Sequence, residues 1–270
     1  MAAIEDLPPE RSAARCLQVD RARERFTRYF FGPTALRPCQ YDLVVNTGRV
    51  PLDSVVYLVA ALVRNDLARH DVPGATRAAI LTLARMLGAG DTGFAPTLAD
   101  RLGLRCYDRA LLELEAVRLG VLEFEAEEID ENPAGIFDRF RPGSIHRRYF
   151  EVLRQLMTEL AARGDVLLVG RGGSCFLRDH PHAFHVRLVA PSPIRLRRVM
   201  EYRWLAQTPA EKLIADSDEK RRRFYHDYFE TDWSDPLGYD ITVNSGRLGP
   251  TAVDFVALAA KRFWDRSDSP

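Results

Sequence analysis

Short apolar runs alternate with longer amphipathic stretches over the last two thirds of the chain. The runs are "AAILTLA" (78–84), "DVLLVGRGG" (165–173), "HAFHVRLVAP" (182–191) and "YDITVNSG" (239–246), and a stretch with helical spacing of apolar positions follows each one. Buried strands that alternate with helices predict an α/β fold with a parallel, doubly wound sheet and helices on both faces. Such sheets bind ligands at the carboxyl ends of their strands.

The last of these runs has an earlier copy in the chain. Residues 41–49 read "YDLVVNTGR" and residues 239–247 read "YDITVNSGR". Placing Asp20 over Asp218 gives a 43-residue match without a gap, in which 14 residues are identical. Both copies have the pattern of a helix, a loop, a buried strand, a glycine turn and a second helix. We interpret this match as an internal repeat.

The repeat predicts the domain organisation. Residues 1–66 form a partial copy with helix-strand-helix character, residues 67–77 form a linker, and residues 78–270 form the larger α/β domain. The apolar strand of the first copy must be covered, because an unpaired strand edge is a liability. It either extends the sheet in its own chain or pairs in a partner chain, which would make a homodimer through the N-terminal segment.

Composition and charge exclude several classes of function. The 270 residues include 38 basic and 38 acidic side chains, so no net field favours nucleic acid or a membrane surface. The basic run at 219–223 is therefore only weak support for nucleic-acid binding. The run at 54–63 is too short to span a bilayer, and the N-terminus has no export signal, so we expect a cytoplasmic protein. The clustered His180, His182 and His185 do not predict a metal site, because His182 and His185, three residues apart, lie on opposite sides of an extended segment.

A glycine-rich turn follows the first strand of the larger domain. A strand, a glycine-rich turn and a helix together cradle phosphate, because backbone N–H groups approach the oxygens and the helix N-terminus adds positive charge. An ordinary strand-to-helix turn is the alternative. We expect Thr92 to be the N-cap of the helix and Gly103 to end it. The candidate cradle consists of Gly88, Ala89, Gly90, Asp91, Thr92 and Gly93.

An ordered set of phrases over residues 80–248 resembles the cytidylate kinase-like family of P-loop phosphotransferases. The phrases are "ILTLARMLGAG", "LADRLGLRCYDRALL", "VLLVGRGG", "HVRLVAPSPIRLRRV", "DEKRRRFYHDYFETDW" and "YDITVNSGRL". The resemblance implies a three-layer P-loop fold, ATP and Mg²⁺ as cofactors, and CMP or a similar nucleoside monophosphate as acceptor. The first 62 residues resemble only the C-terminal third of the same family.

The resemblance also implies roles for arginines, whose forked donors bind phosphate oxygens. By similarity, Arg171 of "GRGG" would hold the acceptor phosphate, and it is the first candidate catalytic residue. Arg195 and Arg198 lie one helical turn apart and would reach the phosphates of ATP or their transition state.

Further residues match the acceptor site of the family. Asp218 and Arg221 match an Asp-x-x-Arg element whose Asp contacts the acceptor ribose and whose Arg contacts its phosphate. Asp108 and Arg109 match the family's "YDR" near the same site, and Arg171 completes this substrate-binding set.

The chain departs from CMP kinases at several of their functional positions. Asp91 stands where those enzymes have the P-loop lysine, Gly172 replaces an Asp after the arginine of "GRD", Ile214 replaces a phosphate-binding Arg, and Ala110 replaces a Glu. Two hypotheses follow. The chain is a kinase acting on CMP or a similar monophosphate, or it is a degenerate nucleotide-binding or scaffold protein that keeps the fold without turnover.

The charge at residue 91 leads to a first prediction. A carboxylate about 4 Å from a phosphate costs on the order of 1 kcal/mol in water, and several kcal/mol at an effective dielectric constant of about 20. We therefore expect Asp91→Lys to lower the dissociation constant of ATP, measured by calorimetry. An unchanged dissociation constant would mean that the Asp91 carboxylate points away from the phosphates.

Overall fold

The computed structural model describes residues 9–33, 35–64, 79–90, 92–108 and 145–267 of the chain. No helix in this described part is both long enough and apolar enough to cross a membrane.

The chain forms two compact units, residues Met1–Tyr41 and Asp42–Pro270. The division falls inside the first copy of the repeated phrase, so the strand of that copy and the helix after it belong to the larger unit. The predicted linker at 67–77 lies outside the described residues, and the predicted domain limits stay predictions.

In its described residues, the smaller unit contains one long helix and a short turn. The helix α1 spans Pro9–Phe31 and a 3₁₀ turn spans Pro38–Gln40. Phe26 and Phe30, one helical turn apart, are both exposed, and their ring centroids lie 4.6 Å apart.

Six strands form one sheet in the described part of the larger unit. Its order is β1-β6-β5-β2-β4-β3. The strands from β6 to β3 pair in parallel, whereas β1 pairs antiparallel with β6. The predicted α/β class with a doubly wound sheet is confirmed, and the strand of the first copy extends the sheet in its own chain. The strands are β1 (Leu43–Val45), β2 (Ile80–Arg85), β3 (Arg105–Tyr107), β4 (Val166–Val169), β5 (Ala183–Val189) and β6 (Ile241–Asn244).

The helices of the larger unit follow its strands. One prediction about their ends is wrong: Thr92 does not cap α3, because Gly93 separates it from the first helical residue and makes no side-chain cap. Gly103 ends the same helix in a left-handed conformation with φ 67°, as predicted. The helices are α2 (Leu52–Arg64), α3 (Phe94–Leu102), α4 (Ile145–Arg163), α5 (Gly173–Phe176), α6 (Ser192–Arg203), α7 (Gln207–Phe229), α8 (Ser245–Leu248) and α9 (Thr251–Ser267).

Both faces of the sheet are covered by apolar side chains. Successive residues of β2 belong to different layers: Leu81 and Leu83 lie in a cluster with residues of α2, α3 and α9, while Ile80 lies in a second cluster with residues of α4. Burial on both faces explains why the strands are continuous apolar runs in the sequence.

Three buried polar residues, Thr82 in β2, His185 in β5 and Asp240 just before β6, form a network with Arg49. The Asp240 carboxylate accepts bonds from the backbone N–H of His185 at 2.6 Å and from Nε of Arg49 at 2.5 Å. The Nδ1 atom of His185 lies 2.7 Å from the hydroxyl of Thr82. Burial, with the charge of Arg49 adding to it, lowers the pKa of His185 to about 3. Burial also raises the pKa of Asp240, although its bonds with His185 and Arg49 oppose that shift. His185 is therefore neutral in the folded chain.

The neutral His185 leads to a prediction about acid stability. Its pKa is about 3 when folded against an ordinary value of 6.5, so the unfolded chain binds more protons between these pH values. We expect the free energy of unfolding to fall below pH 6.5, by up to about 1.4 kcal/mol per pH unit, relative to a His185→Asn variant. Urea denaturation at pH 7.5, 6.0 and 5.0 measures the difference in unfolding free energy between the two proteins. Asp240 is present in both, so its contribution to the pH dependence cancels to first order. A difference that does not change with pH would contradict this explanation.

Candidate functional site

A cavity of about 500 Å³ opens at the carboxyl ends of β2 and β4. This is the edge at which doubly wound sheets bind their ligands. Four basic side chains and two acidic ones line it, so the lining carries a net positive charge and suits an anion. The charged lining residues are Arg85, Arg171, Lys220, Arg221, Asp108 and Asp216.

Three of the predicted substrate-binding residues meet in this cavity. Asp108 follows β3, Arg171 follows β4, and Arg221 comes from α7, so three separate elements deliver them to one place. Asp91 and Arg109, two other predicted site residues, lie outside the described residues.

Arg171 lies in an unusual turn after β4. Three consecutive residues have left-handed backbone, with φ 76° at Gly170, 53° at Arg171 and 76° at Gly172. A Cβ atom on Gly172 would lie 2.6 Å from the ring of Phe229, a clash that a glycine avoids because it has no Cβ atom. Residue 172 therefore has no room for the Asp that CMP kinases have in "GRD". A strained backbone at a cavity is typical of functional positions.

The guanidinium group of Arg221 lies among like charges. Burial lowers its pKa, the neighbouring Asp218 opposes that shift, and Arg195 and Arg85 add to it. One of its donors bonds to the backbone oxygen of Ser217 at 3.1 Å. Repulsion between buried guanidinium groups is relieved when an anion binds among them, so this environment favours a phosphate ligand.

Arg195 has a different environment from the one predicted. Its side chain is only 3% exposed and donates two bonds of 2.7 Å to the Asp218 carboxylate. Its Nε atom donates to the backbone oxygen of Leu87, also at 2.7 Å. In the conformation described, both Arg195 and Asp218 bind protein groups, and Asp218 is not among the residues that line the cavity.

Two carbonyl oxygens of the turn after β2 accept hydrogen bonds from side chains. Arg198 donates to the oxygen of Gly88 at 3.2 Å, and the hydroxyl of Ser245 donates to the oxygen of Ala89. Gly88 has φ 78°, and a Cβ atom there would lie 2.7 Å from the backbone oxygen of Arg195. The glycine is therefore required by the close approach of α6 to the turn.

Aromatic side chains form the other part of the cavity lining. Phe224, Tyr225 and Trp233 contribute to it, and burial raises the pKa of Tyr225 to about 12. Trp233 is 6% exposed, and the guanidinium group of Arg187 lies 4.8 Å from the centre of its ring. Trp204, by contrast, is 93% exposed and does not pack in the core.

Two basic residues of the cavity were not predicted from the sequence. Arg85 is the last residue of β2, and a charge that ends a buried strand at the ligand-binding edge was the available signal. Lys220 lies in the basic run at 219–223, which was considered only for nucleic-acid binding. It is four residues after Asp216, as Arg221 is after Ser217, and this spacing places all four on one face of α7. In the described part of the chain, no group of three acidic, histidine or cysteine side chains could hold a metal ion.

The fold and the site define the class of protein. A mostly parallel six-stranded sheet with helices around it is consistent with a P-loop kinase-like fold. Residues 80–247, more than half of the chain, match the model of the Cytidylate kinase-like family, and the chain belongs to this family. Residues 1–79 lie outside that match.

Curated relatives and a solved structure resemble the chain at low identity. The cytidylate kinase of Halobacterium salinarum is 26% identical over 189 residues, which are 67% of this chain and 88% of the relative. The cytidylate kinase of Halorubrum lacusprofundi is 28% identical over 191 residues, covering 69% of this chain and 91% of the relative. The crystal structure of an uncharacterized protein from Eubacterium ventriosum has a TM-score of 0.49 at 22% identity, covering 66% of this chain and 93% of that one.

The turn that carries Arg171 leads to a third prediction. Gly172→Ala places a Cβ atom against Phe229 at a residue with φ 76°, so we expect the variant to lose about 1–3 kcal/mol of stability in thermal or chemical denaturation. Gly238→Ala is the matched control, because a Cβ atom there has no neighbour within 4 Å. Equal stability of the two variants would show that the turn tolerates a side chain at residue 172.

Proposed function

We propose that the chain transfers the γ-phosphoryl group of ATP to CMP or a similar nucleoside monophosphate. The observation that carries this proposal is the cavity at the carboxyl edge of the sheet, with its four basic residues and its strained Arg171 turn. Membership of the cytidylate kinase-like family supports the choice of acceptor class.

In this proposal the cavity holds the acceptor. Arg171 and Arg221 clamp its phosphate, since guanidinium groups bind phosphate oxygens through two parallel bonds. Arg85 and Lys220 add positive charge around the same group. Asp108 accepts bonds from the sugar or base of the acceptor. An oxygen of the clamped phosphate then attacks the γ-phosphorus of ATP in line, the bond to the β,γ-bridging oxygen breaks, and ADP leaves.

The turn after β2 holds the phosphates of ATP. Its glycine-rich sequence between a strand and a helix suits that role, because backbone N–H groups there can approach phosphate oxygens. Mg²⁺ accompanies ATP and is held largely by phosphate oxygens and water, neutralising charge on the transferred group. Arg198 contacts these phosphates in this proposal. Arg195 is a positioning residue, because its donors fix the turn and Asp218.

One observation favours the alternative, a nucleotide-binding protein without turnover. The charge of Arg195, which the family resemblance assigns to ATP, is paired with Asp218 in the conformation described. Asp91 replaces the P-loop lysine as well. A chain with both features keeps an acceptor cavity but has fewer cations for the transferred phosphoryl group.

A kinase assay with matched variants tests the proposal. ADP release is followed with ATP, Mg²⁺ and each of CMP, dCMP and UMP. Arg221→Ala is expected to lower kcat/KM by roughly 10- to 150-fold, which corresponds to about 1.5–3 kcal/mol for a lost charge-assisted hydrogen bond. Arg223→Ala is the control, because Arg223 is exposed and pairs with Glu219 at 2.6 Å. It should leave the rate unchanged, and melting curves check that both variants are folded.

Binding measurements separate the two candidate functions. If CMP and ATP bind by calorimetry but no ADP is released, the alternative is correct. If neither nucleotide binds nor turns over, both functions are rejected.

A further inference from the structure

The two copies of the repeated phrase pair with each other at the sheet edge. Placing Asp20 over Asp218 makes residue 44 the counterpart of residue 242, and these two residues lie directly opposite each other. A residue that faces its own counterpart lies on a two-fold axis, the geometry of an interface between two like subunits. The full register is Leu43–Val243, Val44–Thr242 and Val45–Ile241.

The backbone contacts at the two ends of the pairing are reciprocal. The N–H of Asn46 donates to the oxygen of Asp240 at 2.9 Å, and the N–H of Asn244 donates to the oxygen of Asp42 at 3.0 Å. Asn46 and Asn244 are counterparts, as are Asp42 and Asp240. Each contact is therefore the image of the other.

The ion pairs at this edge are reciprocal as well. Arg49 contacts Asp240 at 2.5 Å, and Arg247 contacts Asp42 at 3.5 Å. Arg49 and Arg247 are counterparts, so a second copy of residues 240–247 placed along β6 would bring an Arg247 to each Asp240. The edge of β6 is therefore complementary to itself in charge as well as in register.

The helices that follow the two strands, α2 and α9, are also counterparts in the repeat. α2 lies against α9, and its buried Leu58 and Ala61 share one apolar cluster with Val256 and Ala259, their counterparts in α9. The earlier helices also correspond. α1 and α7 each have 23 residues, and they begin and end at positions separated by the same offset as Asp20 and Asp218.

One buried hydroxyl favours a second copy as the natural partner of β6. Among the described residues, the Thr242 hydroxyl is a buried polar atom without a hydrogen-bond partner, and it lies opposite Val44, which cannot provide one. A second β6 in the same register would place Thr242 opposite Thr242, and two threonines in this position can bond to each other.

We propose that the outer edge of β6, with α9 behind it, is a self-pairing surface for a second copy of this chain, and that residues 42–64 occupy it from within. The N-terminal segment takes the place of the second subunit, so the natural chain is monomeric at this edge. Release of β1 exposes the edge, and two chains then pair through β6 in antiparallel register.

The test uses the full chain with β1 released. Val44→Pro removes a backbone donor from β1, which a paired strand does not tolerate. We expect the natural chain to be a monomer in analytical ultracentrifugation and Val44→Pro to become a dimer as concentration rises. In Val44→Pro/Thr242→Cys the two new cysteines would lie opposite each other at about 4.5–5.5 Å between Cα atoms, within disulfide range. Oxidation should then give a 242–242 cross-link, identified by peptide mass spectrometry.

The control introduces proline nearby without releasing the strand. Leu52→Pro changes the exposed first residue of α2, a position at which helices accept proline, so this variant should stay monomeric. A folded Val44→Pro chain that remains a monomer at about 100 µM, or a dimer without a 242–242 cross-link, would overturn the proposal.

Arg49→Ala is the second variant, for the case that Val44→Pro does not fold. It leaves the backbone of β1 intact but removes the guanidinium group beside Asp240, which Arg247 of a second copy would then replace. We expect it to dimerise at a lower concentration than the natural chain. Equal mass of Arg49→Ala and the natural chain at every concentration would reject the self-pairing surface.

Discussion

The side chain of Arg195 is buried, and it bonds to parts of the chain that are far apart in sequence. Its guanidinium group bonds the Leu87 oxygen in the turn after β2 and the Asp218 carboxylate on α7. Desolvating two charges is costly and is offset only when the geometry is good and the remaining donors are satisfied, as they are here. The turn, α6 and α7 are consequently fixed relative to one another, and the cavity bounded by β2, β4 and α7 depends on this contact.

Another part of the cavity lining has a strained backbone. Arg171 adopts a left-handed conformation that costs a non-glycine residue about 1–2 kcal/mol, and the next residue, Gly172, lies so close to Phe229 that it has no room for a side chain. Phe229 also packs against Phe176, with ring centroids 5.0 Å apart. Phe229 therefore joins α7 to α5 and at the same time limits residue 172 to glycine, next to an arginine at the edge of the sheet.

The sequence predicted the elements better than the contacts between them. Strands such as β5 were predictable because burial on both faces gives a continuous apolar run. β1 was also predicted as a strand, but its partner was not, since local pattern says nothing about which edge a strand joins. Likewise, the spacing of Asp218 and Arg221 indicated one helix face, whereas the bond between Asp218 and Arg195 depends on how α6 crosses α7. Arg85 was overlooked because the predicted apolar run ended at residue 84, whereas the strand includes residue 85.

The pairing of β1 with β6 also affects how the chain is made. Val44 and Thr242 are 198 residues apart, so at ordinary elongation rates β1 is synthesised about 10–40 s before its partner. During that interval its backbone groups must remain solvated or find temporary partners. Once β6 emerges, its partner is already tethered in the same polypeptide. Closure of the edge is then a first-order step whose rate does not depend on protein concentration, whereas association of two separate chains is second-order and slows as the protein is diluted.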